Sequence, residues 1–360
     1  MASDRLLPTL SNTWSARSTP VGTKIMVRTI LLALDGSRDA EDALPGAAAL
    51  ASRTGARLLL VMPVPARAGL GLSPLDAGAE RVARVAQARD YLQALAERAH
   101  ARHPHLQTGA APPLGLWPEA VLDEAALERV DLIIAATRVS GAGHTGVSVD
   151  PTARVGNAAL TLSRRADVPV LFLPRGAAFE RVMSTGGRLR VVIPLDGSPT
   201  AEAILPLVVR LGASLPILAT VLHVLAAPGN PYKSLLSDTR SSPLAARSVA
   251  RGQLSRATAA AYCRRVATWL EQHGVPARVE IRCGSVVEQI GVAVLERTDL
   301  LALGLPEALA WRFGYSVEQL LRTATVPVLL LRSTRAEYVV PDSGTASLAM
   351  TREREPALVA

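Results

Sequence analysis

The chain has 360 residues, of which 49% are hydrophobic and 3% aromatic, and its formal net charge is +8. This length accommodates two domains of ordinary size, whose cores must be built mainly from Leu, Val, Ala and Ile. The positive charge alone allows contact with nucleic acid. However, the Arg residues are interspersed with acids and no nucleic-acid motif or set of stacking aromatics accompanies them, so nucleic acid is disfavoured as a partner.

Cysteine content and hydropathy bear on location and on metal binding. Cys263 and Cys283 follow no metal or redox spacing, and a chain this poor in Cys fits a reducing cytoplasm, so we predict a cytoplasmic protein without a metal site. Residues 1–25 lack the apolar core of a signal peptide. Residues 211–229 carry no formal charge, but prolines and polar residues interrupt them, which predicts a loop and a buried strand rather than a membrane span.

The first half of the chain alternates predicted strands and helices. An apolar run at 28–34 ends at Asp35-Gly36-Ser37, and a helix is predicted over AEDALPGAAALASRTG, ending at Gly55. The following predicted elements are the strand ARLLLVMPV, a long helix from Ala79 to Ala101, a short segment near LQTGAAP, a helix over GLWPEAVLDEAALERV, a buried strand at 130–137, and a helix and last strand within GNAALTLSRRADVPVLFLP.

The second half repeats this order. The run RVVIPLDGS is followed by a predicted helix over PTAEAILPLVVRLGASL. The following predicted elements are the strand TVLHVLAAP, a long helix from Ala246 to His273, the strand VPARVEIRCGS, the helix VVEQIGVAVLERT, the strand DLLALGL, and a helix and last strand within GYSVEQLLRTATVPVLLLR. The strands VDLIIAAT and TDLLALGL correspond, as do DVPVLFLP and TVPVLLLR.

Strands that alternate with helices of this length predict right-handed crossovers between parallel strands. The predicted fold class is therefore α/β, with two tandem open, mainly parallel five-stranded sheets that carry helices on both faces. The predicted boundaries are a disordered tail at 1–25, a first domain at 26–175, a linker at 176–188, a second domain at 189–334 and a disordered tail at 335–360.

The repeated Asp-Gly-Ser turn is the first candidate site. Asp35 and Asp196 follow the first strand of each half directly, and in an open parallel sheet ligands bind beyond the carboxyl ends of the strands. Gly allows the tight turn and the Ser caps the next helix. One interpretation is a strand-to-helix turn alone. The other is a ligand contact, because such a turn does not require a carboxylate before its Gly.

The chain resembles two fused universal stress protein domains, over about residues 26–175 and 189–333. The resemblance rests on the two LDGS turns, on Leu222-His223-Val224, on the VDLI and TDLL strands, and on the ending of Gly, helix and Pro-Val in each half. It implies an adenine nucleotide alpha hydrolase-like, Rossmann-like fold that binds adenine nucleotide, with ATP as the expected cofactor. It also implies pairing of the two domains as an internal pseudo-dimer, and leaves a homodimer of two chains open.

The resemblance also predicts a phosphate loop of the form G-x2-G-x9-G-[ST], in which backbone N–H groups and a helix N-terminus face phosphate. In the first half Gly143, Gly146 and Gly156 satisfy this spacing, and Asn157 replaces the Ser or Thr. An accidental Gly-rich surface loop is the alternative. The predicted nucleotide-binding residues of this half are Asp35, Thr137, Arg138, Gly143, Gly146, Gly156 and Asn157.

The second half departs further from that pattern. Gly304 keeps the first position, but Glu307 takes the second, where a carboxylate would repel phosphate, and Tyr315 follows Gly314. Ser316 is the substitute hydroxyl donor. Val224 matches the family position whose backbone contacts the base, whereas in the first half this place falls near Pro63, which has no N–H. The predicted residues of this half are Asp196, Val224, Gly304, Gly314 and Ser316.

Three functions are consistent with the sequence. The first is a stress-response regulatory protein that binds ATP in its first half and has a degenerate site in its second. The second is an ATP-independent interaction module of the same fold. The third is a slow nucleotide hydrolase, which has the least support because neither a catalytic base nor a Mg²⁺ carboxylate is identifiable, so we predict a protein that is not an enzyme.

Overall fold

The structure is a computed structural model of the chain. It describes residues 26–65, 74–137, 157–174, 178–225, 256–296, 298–306, 320–321, 325–333 and 339–340. The chain divides into two compact units, Met1–Glu180 and Arg181–Ala360, which are described separately below. Within the described residues, no helix has the length and apolarity needed to cross a lipid bilayer.

The first unit is an open parallel sheet with strand order β3-β2-β1-β4-β5. Its elements are β1 (Thr29–Ala33), α1 (Arg38–Glu41), α2 (Leu44–Thr54), β2 (Arg57–Val61), α3 (Pro74–Arg102), β3 (Thr108–Ala111), α4 (Glu119–Leu127), β4 (Leu132–Ala136), α5 (Asn157–Arg165) and β5 (Val170–Leu173), followed by α6 (Ala178–Thr185). The central strands β1 and β4 are buried almost throughout. Apolar runs without alternation therefore mark strands that are covered on both faces, as in α/β folds.

The second unit has the same topology, with strand order β8-β7-β6-β9-β10 and parallel pairing throughout. Its elements are β6 (Leu189–Pro194), α7 (Pro199–Glu202), α8 (Leu205–Gly212), β7 (Ile217–Leu225), α9 (Arg256–Gln272), β8 (Ala277–Cys283), α10 (Val286–Leu295), β9 (Leu300–Pro306) and β10 (Val328–Ser333). The α/β fold class predicted from the sequence is confirmed, with five strands described in each unit.

The first predicted helix of each half is in fact two helices. In the first unit α1 ends at Glu41 and α2 begins at Leu44, with Pro45 in its first turn. Pro206 has the same place in α8. Proline lacks an N–H and clashes with the preceding turn, so it is accepted at the start of a helix and not in its interior. The sequence prediction treated these prolines as helix interior, which was wrong.

An aspartate ties the starts of two neighbouring strands together in each unit. The Asp131 carboxylate, just before β4, accepts hydrogen bonds from the backbone N–H groups of Arg28 and Thr29. The Asp299 carboxylate accepts from the backbone N–H of Arg190 and pairs with its guanidinium at 2.6 and 2.8 Å. These are the aspartates of VDLI and TDLL, so this part of the repeat has a structural role.

Two described segments bear on the predicted boundaries. Residues 178–185, inside the predicted linker, form α6, and the division between the two units falls within this helix. Its apolar side chains Phe179 and Met183 are buried, which explains why the segment is helical rather than extended. At the other end, Val340 of the predicted C-terminal tail is buried as well. Apart from Val339 and Val340, the predicted tail residues lie outside the described ones.

Candidate functional site

The strand order creates a crevice at a fixed place in each unit. Within the sheet, β2 and β3 lie on one side of β1, and β4 and β5 lie on its other side. In an open parallel sheet, such a reversal of strand order places a ligand crevice at the carboxyl ends of the two strands concerned, here β1 and β4. In the second unit the corresponding strands are β6 and β9.

The Asp-Gly-Ser turns on this crevice have nearly the same geometry in both units. The Asp35 Oδ1 accepts the backbone N–H of Ser37 at 2.9 Å, and the Ser37 Oγ accepts the N–H of Ala40 at 3.2 Å. Asp196 and Ser198 make the same two bonds at the same two distances. Gly36 and Gly197 have φ of 79° and 84°, which favours glycine. One carboxylate oxygen of each Asp is thus used by the turn.

The other carboxylate oxygen of each Asp is buried. Among the described residues, no hydrogen-bond partner reaches the buried Oδ2 of Asp35 or of Asp196. Burial raises the pKa of Asp35, and the bonds from Ser37 oppose that rise. An unpaired buried acceptor costs about 1–3 kcal/mol. The structure thus shows the strand-to-helix turn, and a ligand contact by the second oxygen stays a prediction.

A side-chain donor covers the carbonyl just before each Asp, and the donor differs between the units. The Trp117 indole donates to the carbonyl oxygen of Leu34 at 3.2 Å. The His223 Nδ1 lies 2.7 Å from the carbonyl oxygen of Leu195. Burial lowers the pKa of His223, so the ring is neutral, and since a carbonyl only accepts, Nδ1 carries the proton and Nε2 is an acceptor. The two crevices therefore present different chemistry.

A Tyr–Glu pair stands behind each turn. The Tyr91 hydroxyl, on α3, donates to Glu41 at 3.2 Å, and the Tyr262 hydroxyl, on α9, donates to Glu202 at 3.0 Å. Burial raises the pKa of both tyrosines, and the charges of the paired Glu and, to a smaller extent, of Asp35 or Asp196 add to that rise. The sequence analysis missed these pairs. The available signal was a Glu at the same distance after each Asp-Gly-Ser turn.

Strand register shows where Val224, the predicted base contact, and its counterpart Pro63 lie. In β1 and β2 Ala33 is level with Val61, and in β6 and β7 Pro194 is level with Leu222. Two residues further along, Pro63 in the first unit occupies the position that Val224 has in the second. The second unit thus has a backbone N–H at this position, whereas Pro63 has none.

The predicted phosphate-binding residues are described only in part. Thr137 follows β4, is buried, and donates its backbone N–H to the carbonyl oxygen of Leu173. The helix α5 begins at Asn157, the position predicted for the helix start. The other predicted residues of these loops lie outside the described ones: Arg138, Gly143, Gly146, Gly156, Gly314 and Ser316.

Gly304 has a packing reason to be glycine. A Cβ at this position in β9 would overlap the carbonyl oxygen of Thr200 and lie 2.8 Å from that of Ala201. These backbone atoms belong to α7, which therefore approaches β9 closely. Ala136 is level with Gly304 in the repeat. A role of Gly304 towards phosphate stays a prediction.

Metal ligation has no visible basis in the part of the chain that the structure describes. No three or more His, Cys, Asp or Glu side chains gather there in a way that could hold an ion. Cys263 is buried and Cys283 is exposed, and both are free thiols.

Comparison with known proteins agrees with this geometry. The model of the universal stress protein family matches residues 26–174. A universal stress protein from Archaeoglobus fulgidus superposes with a TM-score of 0.55 at 13% identity, over 87% of this chain and 98% of that one. A putative universal stress protein from Pseudomonas aeruginosa gives 0.52 at 16% identity, over 85% and 93% of the two chains. No curated protein matches significantly in sequence.

At these identities the two superpositions show the fold alone. They extend over both units, whereas the family match covers the first. Residues 26–174 therefore match the universal stress protein family, and both units share the fold of solved proteins of that name.

Proposed function

We propose that the first unit binds an adenine nucleotide, with ATP as the expected ligand, in the crevice at the carboxyl ends of β1 and β4. The observation that carries this proposal is the Asp35 Oδ2, which is buried, has no hydrogen-bond partner among the described residues, and lies where the strand order reverses. A carboxylate oxygen there accepts hydrogen bonds from a ribose hydroxyl or an exocyclic amine. The helix start at Asn157 offers backbone N–H groups and a positive dipole end to phosphates.

Binding rather than turnover is the proposed role. Asp35 is already engaged by the turn through Oδ1, and the neighbouring Glu41 is held by Tyr91 and Arg98. Neither carboxylate is therefore free to move as a general base. A bound nucleotide would instead stabilise one conformation of the crevice loops, which suits a regulatory protein in a stress response. A cytoplasmic location and pairing of the two domains or of two chains belong to this proposal.

The second unit is proposed to bind ATP weakly or not at all. Its crevice keeps the unpaired Asp196 Oδ2, but His223 replaces the thioether of Met62 at the matching position of the neighbouring strand. Glu307 adds a negative charge to its predicted phosphate loop. A nucleoside without phosphates is the ligand that such a crevice accepts most readily, since the carboxylate then repels no anion.

The test is a thermal-shift titration of the full chain with ATP, with GTP to test recognition of the base. Saturating ATP should raise the melting temperature, by linkage equivalent to about 2.7 kcal/mol at a concentration one hundred times Kd. Asp35→Asn retains the oxygen that accepts from Ser37 but replaces Oδ2 by an amide nitrogen. It should weaken ATP binding about ten- to one-hundred-fold, the value of one hydrogen bond to a charged group.

Asp196→Asn is the matched control, because it makes the same change in the same turn of the other unit and should leave ATP affinity nearly unchanged. If ATP leaves the melting temperature of the wild-type protein unmoved, the proposal fails and the ATP-independent interaction module remains. If phosphate is released above a heat-inactivated control and Asp35→Asn abolishes that release, the protein is a hydrolase.

A further inference from the structure

The two Tyr–Glu pairs differ in what binds the second oxygen of the Glu. In the first unit, the Arg98 guanidinium donates to the Glu41 Oε2 at 2.8 Å, and both side chains are partly exposed. In the second unit, the residue seven positions after the tyrosine is Trp269, which contacts His273 instead. The arginine that neutralises Glu41 thus has no counterpart at the matching position beside Glu202.

Backbone groups of the C-terminal segment take the place of that arginine. The N–H groups of Val339 and Val340 both donate to the Glu202 Oε2 at 3.1 Å, while Tyr262 donates to Oε1. Two successive backbone N–H groups that converge on one anion form a recognised type of anion site. Here the anion belongs to the folded unit, and the donors belong to a segment far along the chain.

The contact between Glu202 and the C-terminal segment is buried. Glu202 is 0% exposed and Val340 is 2% exposed. The Arg265 guanidinium lies 5.6 Å from the centre of the Tyr262 ring, and its charge helps to stabilise the carboxylate. Burial raises the pKa of Glu202, and the bonds from Val340, Tyr262 and Val339 oppose that rise. A buried carboxylate stripped of two donors would be strongly destabilising.

We propose that Glu202 and Tyr262 form a docking site for a peptide segment with two free successive N–H groups, the second of which belongs to a buried apolar residue, and that residues 339–340 of this chain are its occupant. The segment is a strap that closes the second unit. In the first unit the corresponding glutamate borders an open cavity of about 310 Å³, lined also by Arg98, Leu173 and Phe179. Among the described residues, the strap therefore distinguishes the second unit from the first.

The first experiment compares two shortened chains. A chain that ends at Pro341 retains the strap, and we expect it to unfold at the temperature of the full chain. A chain that ends at Tyr338 lacks both donors, and its melting temperature should fall by several degrees. Equal melting temperatures of the two shortened chains would overturn the proposal.

The second experiment restores the strap from outside. A peptide of residues 336–344 should bind the chain that ends at Tyr338, measured by fluorescence anisotropy, and should raise its melting temperature. The matched control peptide is N-methylated at Val339 and Val340, which removes both donors and keeps both side chains, so it should bind at least ten-fold more weakly. Equal binding of the two peptides would contradict the role of the N–H groups.

A third measurement does not depend on any shortened chain folding. Carboxypeptidase digestion of the full wild-type chain, followed by mass spectrometry, should pause near Val340 and pass this point rapidly in Glu202→Ala. Glu41→Ala is the matched control and should preserve the pause. Wild-type digestion without a pause would overturn the strap. None of these readouts involves Asp35, so their failure is distinguishable from failure of the nucleotide proposal.

Discussion

Replacement of Gly304 by alanine tests whether this glycine serves packing or phosphate. The added Cβ would overlap the Thr200 carbonyl oxygen and lie 2.8 Å from the Ala201 carbonyl oxygen. Both are backbone atoms of α7, which is fixed by its cap on Ser198 and cannot rotate away as a side chain would. Either α7 or β9 must therefore move.

The expected cost follows from this overlap. Overpacking of a buried site typically costs about 1–3 kcal/mol. In a unit of this size each kcal/mol lowers the melting temperature by about 2–4 °C, so Gly304→Ala should lower it by about 2–12 °C. Scanning calorimetry of the full chain measures the shift. Ala136→Gly is the converse change in the first unit, and it should cost only about 0.5–1 kcal/mol, since it removes one methyl group and adds backbone freedom.

Two outcomes would refute the packing argument. If Gly304→Ala melts at the wild-type temperature, α7 and β9 are not in the close contact on which the calculation depends. If stability is unchanged while a nucleotide-induced shift of the second unit disappears, the glycine serves phosphate approach, as the sequence motif predicts. A loss of stability with no change in nucleotide response would support packing as the reason for this residue.

Three further predictions concern single contacts. Asp35→Asn should stabilise the ligand-free protein at pH 7, because burial raises the folded pKa of Asp35 above its ordinary value of 3.8 and ionisation therefore opposes folding. The gain should shrink as pH falls through the raised pKa and vanish below 3.8, as melting curves over a pH series would show. Asp299→Ala should lower the free energy of unfolding in urea by about 1.5–3 kcal/mol. Arg190→Ala should lower it clearly less, because the Arg190 side chain is half exposed and its backbone hydrogen bond to Asp299 survives. Equal losses in the two variants would contradict this. Trp117→Phe should cost about 1 kcal/mol by leaving the buried Leu34 carbonyl without its indole donor, and an unchanged urea midpoint would contradict the assignment.

Much of the fold could be predicted because its determinants are local. Unbroken apolar runs identified the buried strands, and Gly55 in the left-handed conformation ends α2 where the sequence indicated. The same reasoning failed at Pro45 and Pro206. The apolar periodicity continues across each short turn, although the hydrogen bonds of the helix do not.

Only those parts of the candidate site whose backbone geometry depends on neighbouring residues in the sequence could be predicted. The Asp-Gly-Ser turns follow from the φ that glycine permits and from a Ser cap three residues before its partner N–H. Trp117 and His223 could not be predicted, because they lie on different strands or loops and meet equivalent carbonyls only through tertiary packing. Nothing in their local sequence distinguishes them from core residues.

The sequence by itself determined the repeated α/β architecture and the placement of one aspartate at the crevice of each unit. Hydrophobic periodicity, turn chemistry and helix caps depend on residues a few positions apart, so they can be recognised in the sequence. Only the tertiary structure decided which partners those carboxylates have. Oδ1 of Asp35 is satisfied within its own turn, whereas Glu202 depends on N–H groups from residues 339–340, more than a hundred positions away. Satisfaction of a buried charge is a property of three-dimensional surroundings, and those exist only once the chain has folded.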